Sequence, residues 1–208
     1  MAAMTSRKAS TSTTVKAARV TAAQRTAWHE AGHTVISSAI NDMPDLVSIR
    51  TEGVSFGRNS MKMFARPSSL TQVYLAGFAA EHILTGRRSR HLGEEVAFAI
   101  LAESNPAFRE AFMEDGHRDG HGAVQQLLRM GVPADDEEIK REVERFYDIT
   151  RESLTVVWPA VEAVAHALLK QKELSRGDLE EILGPFGIYV PVVLVQRAHG
   201  MLLPKAKG

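Results

Sequence analysis

From residue 21 to about 184, apolar positions recur mostly with helical spacing, interrupted by one stretch that alternates. The first helical run opens at Thr21, where T-x-x-Q (Thr21, Gln24) forms a capping box that satisfies free amides at a helix start. It extends to about Ile40 and is ended by "NDMPD", since Pro44 cannot donate a backbone hydrogen bond and pushes its predecessor off helical angles. "LVSIR" (46–50), "VSFG" (54–57) and "MKMF" (61–64) are short, partly alternating and separated by Gly and Asn, which predicts a small antiparallel sheet. Helical spacing returns over 68–86, with Leu70, Val73, Tyr74, Gly77, Ala80 and Leu84 along one face and Gly86 as the stop.

A basic loop, "RRSRH" (87–91), precedes a helix near 93–103, and Asn105-Pro106 starts another short one. "EDGHRDGHG" (114–122) reads as a Gly-rich turn leading into a helix at 123–130. Residues 134–170 predict a long amphipathic helix whose acidic start suits the helix dipole, broken or kinked at Pro159. Ser175 and Asp178 cap a helix over 176–183, and the apolar "IYVPVVLV" (188–195) reads as extended. The elements add up to an α+β, mainly helical domain over residues 21–184. A flexible basic tail (1–20) is expected before it and a C-terminal extension (185–208) after it.

The 208 residues, 44% apolar and 24% charged, suffice to bury one core. Lys+Arg and Asp+Glu both number 25, so net charge gives no ground for expecting nucleic acid as a partner. Cysteine is absent, which removes disulfides and thiolate metal sites; any metal must be held by His and carboxylates. No run approaches the roughly 18 apolar residues of a membrane span, and the start lacks the apolar centre of a secretory signal. A soluble, cytoplasmic protein without a membrane partner is the expectation.

Candidate chemistry centres on "WHEAGH" (28–33). On a helix, His29 and His33 lie about 40° apart on one face, so both imidazoles can reach one ion. Glu30 sits at the edge of that face, where a carboxylate can serve as general base toward a metal-activated water. Ala31 and Gly32 keep the helix slim between the ligands, and Trp28, Val35 and Ile36 suit half-burial in a core.

"RTAWHEAGHTVIS" (25–37), "YLAGFAAEHILTG" (74–86) and "WPAVEAVAHALLKQKELSRGDLEEIL" (158–183), in that order, resemble the peptidase domain of FtsH-type ATP-dependent zinc metalloproteases. The resemblance implies a zincin-like fold with the small sheet beside the active-site helix, and "VSFG" is similar to the family's cleft-edge strand. It implies one zinc ion, a polypeptide substrate, and a third ligand that is an Asp near a helix start, downstream of the Ala-Ala-Glu segment. Asp119, four residues before Ala123, is the preferred match. Glu95, Asp115, His117 and His121 stay open as alternatives. Glu81 of "AAEH" could orient a zinc imidazole through a hydrogen bond or could be a surface carboxylate. His82, His91, His166 and His199 show no ligand spacing, and Trp28, Phe78 and Trp158 read as core.

The family's ATPase module and membrane anchor have no counterpart in these residues, so the expectation is an ATP-independent metallopeptidase that cuts loose or peptide-like segments. A homo-oligomer and an ATPase acting in trans remain open as partners. Two rivals stand beside it: an inactive metal-binding or regulatory module of the same fold, and a zinc hydrolase of other acyl substrates.

Overall fold

A computed structural model describes residues 20–49, 58–59, 65–105 and 119–188. Its elements are α1 (Ala22–Ala39), β1 (Leu46–Ser48), β2 (Arg58–Asn59), α2 (Pro67–Thr85), α3 (Arg90–Ser104), α4 (Asp119–Arg129), α5 (Asp136–Val156), α6 (Trp158–Gln171), β3 (Glu173–Ser175) and α7 (Arg176–Leu183), followed by a 3-10 turn (Gly184–Phe186). The molecule is mainly helical with one small antiparallel sheet. No helix among the described residues is long and apolar enough to cross a membrane.

α1 begins as expected: Thr21 accepts from the Gln24 amide, and the Gln24 side chain accepts from the Thr21 amide. It ends at Ala39, next to the expected Ile40, though the stop comes before Pro44. Asn41 turns left-handed (φ 61°), and the Asp42 amide reaches back to the Ser37 carbonyl at 2.9 Å, so the chain has left the helix before the proline. Asn tolerates this conformation because its short polar side chain clashes little.

α2 is the hub of the fold. It packs against α1, α4 and α5, and it is buried from Ser68 to Val73 and from Leu75 to Ala80. The single apolar face expected of it is therefore too narrow a description; neighbours on several sides cover nearly all of its circumference. Such crowding needs small residues at the crossings. A Cβ on Gly32 of α1 would lie 2.5 Å from the Ala76 carbonyl oxygen, so that position must be glycine for the two helices to touch. Gly86, left-handed at φ 68°, ends α2 as expected.

The long helix predicted over 134–170 is two helices, α5 and α6. The break falls at Val157, two residues before Pro159, which sits in the first turn of α6 where its missing amide costs nothing. Arg90 and His91, assigned to a loop by sequence, form the first turn of α3. The sheet order is β2-β1-β3, with Val47 opposite both Asn59 and Leu174. β3 was not foreseen: three residues leave no periodicity to read, and only pairing with β1 makes them a strand. The strands predicted at 54–57 and 61–64, the short helix at 106, Asp115, His117, His199, and nearly all of the tail (1–20) and of the extended segment 188–195 lie outside the described residues.

The core joins Val35, Leu75, Leu127, Phe146, Leu154, Leu168, Leu174 and Leu179, all fully buried. Trp28 and Phe78 are buried as expected, and Trp158 packs half-buried against the same core.

Candidate metal centre

His29 and His33 project from the buried middle of α1, and Asp119 opens α4. The sequence had Asp119 in a turn ahead of the helix; it belongs to the first turn itself, which anchors its backbone. His29 Nε2 lies 2.9 Å from Asp119 Oδ2, His33 Nε2 lies 3.1 Å from the same oxygen, and the two Nε2 atoms are 3.0 Å apart. The three atoms thus form a nearly equilateral triangle.

The opposite ring nitrogens fix the tautomers. His33 Nδ1 is 2.7 Å from the Val73 carbonyl oxygen, which can only accept, so Nδ1 carries the hydrogen. His29 Nδ1 likewise donates to Glu81 Oε1 at 2.7 Å. Glu81 is therefore a partner of His29 rather than a bare surface carboxylate, and it also faces Arg25 at 3.8 Å. In neutral imidazoles both Nε2 atoms then present lone pairs, aimed at each other and at a carboxylate oxygen. Such a convergence of acceptors is repulsive unless a cation or extra protons occupy it.

The same tension governs the titration. Burial lowers His29, but hydrogen bonds with Asp119 and Glu81 and the Asp119 charge overcome it and hold His29 well above its ordinary value. Burial also opposes charge on His33, and the Asp119 charge and hydrogen bond raise it nonetheless. For Asp119, burial pushes upward, while the His33 charge and the hydrogen bonds from both imidazoles hold the carboxyl far below the usual range. Burial pushes Glu30 up against the pull of His33 and His29, and the Asp119 charge adds to the rise.

Packing leaves the side chains of the cluster little freedom. A Cβ on Gly77 of α2 would lie 2.4 Å from His29 Nε2, so the α2 backbone forms a wall behind the imidazole. Phe78 meets the same ring edge-on at 5.3 Å. Gly122 of α4 lies against the Tyr74 ring, where a Cβ would be 2.4 Å from Cε1. Sequence reasoning found both histidines and the aspartate. It did not find Val73, whose contribution is a backbone carbonyl, nor the part played by Gly77, which resembled any small residue on an apolar face.

The three ligand atoms fit a small dication. A tetrahedral ion with bonds of about 2.0–2.1 Å spaces its ligand atoms roughly 3.3 Å apart, a few tenths more than here. Glu95 and His121 stand outside this cluster, among the described residues with ligand-type side chains. Glu95 Oε2 accepts from the Gly120 amide instead, and His121 is buried two residues further along α4. No protein-family model matches the chain, and no curated protein does.

Proposed function

We propose that the chain is a zinc-dependent metallopeptidase of zincin-like fold, similar to the peptidase domain of FtsH-type proteases. The observation that carries this is the convergence of His29, His33 and Asp119 at 2.9–3.1 Å, with both Nδ1 hydrogens committed elsewhere. His29, His33 and Asp119 would hold the ion with three protein ligands, the number found in catalytic rather than structural zinc sites. Glu81 and the Val73 carbonyl hold the Nδ1 hydrogens, so that His29 and His33, once deprotonated, would offer their Nε2 lone pairs to the ion, and Asp119 would supply the negative charge.

When bound, zinc supplies the Lewis acidity that acidifies a water and polarises a peptide carbonyl. Glu30 is the general base. It is 7% exposed, and burial keeps its carboxyl easier to protonate than an exposed glutamate. It takes the proton from the attacking water and returns it to the leaving amine nitrogen.

The deciding experiment measures zinc content of the purified protein and compares wild type with Glu30→Gln on an unfolded protein and on small acyl esters. Zinc near one equivalent in both proteins, with proteolysis at least about 100-fold lower in the variant, is the expected result. Cleavage of esters alone would replace the peptidase by another hydrolase. Zinc binding without turnover on either substrate would leave a metal-binding module, and no zinc uptake would overturn the proposal.

A further inference from the structure

Glu95 lies on α3, outside the ligand triangle, yet its carboxylate ends one residue away from it. Glu95 Oε2 accepts the Gly120 backbone N–H at 2.8 Å. Gly120 directly follows Asp119, and its N–H is one of those a helix's first turn leaves without an intrahelical partner. α3 and α4 meet at this point with no slack: a Cβ on Gly120 would lie 2.6 Å from Glu95 Cβ and 3.2 Å from the Glu95 carbonyl carbon. The side chain that holds the amide and the backbone that bears it are therefore locked together.

We infer that Glu95 is a positioning residue for the metal centre, pinning the Asp119–Gly120 peptide so that Asp119 Oδ2 meets the two imidazole nitrogens; this rests on the metal reading above. Bonding Gly120 fixes the peptide plane on the C-terminal side of Asp119, and with it the origin of the Asp119 side chain. The hydrogen bond is charge-assisted, and a carboxylate at a helix N-terminus is favoured by the dipole. Glu95 also places a second negative charge close to Asp119, at a site that suits a dication. In sequence Glu95 looked like a rival to Asp119 for the metal. In space it serves Asp119.

The test uses the full chain, stripped of metal and titrated with Zn²⁺ against a chromophoric chelator, with Co²⁺ absorption reporting ligand geometry. Glu95→Ala should weaken zinc affinity about 10–100-fold, the range found for groups that orient ligands, and should alter the Co²⁺ spectrum. Glu95→Gln, whose carbonyl oxygen still accepts from Gly120, should restore most of the affinity. Glu94→Ala, on the exposed neighbour, should change nothing. Wild-type affinity in Glu95→Ala would overturn the inference, as would a loss in Glu95→Gln equal to that in Glu95→Ala, which would assign the effect to charge. Should Glu95→Ala fail to fold, Glu95→Asp replaces it: its shorter side chain cannot span to Gly120, so weakened binding supports the inference and unchanged binding overturns it. Wild type that takes up no zinc sinks the functional proposal and this inference together; wild type that binds zinc while Glu95→Ala binds equally sinks this one alone.

Discussion

The centre is built from three acceptors facing one point, and single residues decide whether that point can hold a cation. Asp119 brings the only negative charge in the triangle, so Asp119→Asn should weaken zinc affinity by more than about 100-fold, beyond what loss of an outer partner does. Competition titration against a chelator measures it. Gly77 is as critical although it offers no side chain to the triangle. In Gly77→Ala the new Cβ would stand 2.4 Å from His29 Nε2, so the imidazole must swing or α2 must retreat. Overpacking of this kind costs about 1–3 kcal/mol. Urea denaturation should show that loss, and zinc titration should show a site that no longer closes. His29 and His33 were legible from their spacing alone, because a helix of fixed pitch puts residues four apart on one face. Asp119 was singled out only through the resemblance to the FtsH-type peptidase domain, since ninety residues of chain separate it from His29.

Elements bring these residues together through a few close crossings. α2 lies at the centre and meets α1 at Gly32, His29 at Gly77 and α4 at Gly122. Along the chain those glycines are only small residues, whereas the packing makes each of them a contact surface. Helix ends were the more readable part. The boxes at Thr21/Gln24 and Ser175/Asp178 form as the sequence implies. Asp135 caps α5 by accepting from the Glu137 and Glu138 amides at 3.1 Å. Asp135→Ala should therefore lower stability by about 1 kcal/mol, read from urea denaturation, with zinc affinity unchanged because α5 carries no ligand. The end near Ile40 and the break near Pro159 fall within two residues of where they were expected, but the stops come from Asn41 and Val157 through their own backbone angles rather than from Pro44 and Pro159. Proline forbids continuation; it does not mark where the chain turned.

For the whole molecule, the His29–His33–Asp119 cluster ties folding to pH and, on the proposed function, to metal. His29 and His33 have raised values in the fold, so without metal their contribution is complete below the unfolded value near 6.5 and is lost as pH climbs through the raised ones. Glu30, raised by burial, works in the same direction from its own ordinary value upward. Asp119 is depressed, so its contribution is present above about 3.9 and is lost as pH falls toward its folded value. Metal-free protein should therefore melt at lower temperature at pH 8 than at pH 6. Zinc needs deprotonated imidazoles, so its presence should reverse that order and add about 2.7 kcal/mol at 100 times its dissociation constant. Thermal melts at both pH values, with zinc and with chelator, check both signs. An unchanged melting temperature across pH in the metal-free protein would show that the cluster does not form. Local pattern alone determined the helices, their caps and the pairing of His29 with His33, because each depends on residues within one or two turns. Tertiary structure alone decided that Asp119 completes the triangle, that β3 joins β1, that Val73 orients His33 and that Glu95 holds Gly120. Those contacts join residues 25 to 129 positions apart, and a distance across space leaves no periodic trace along the chain.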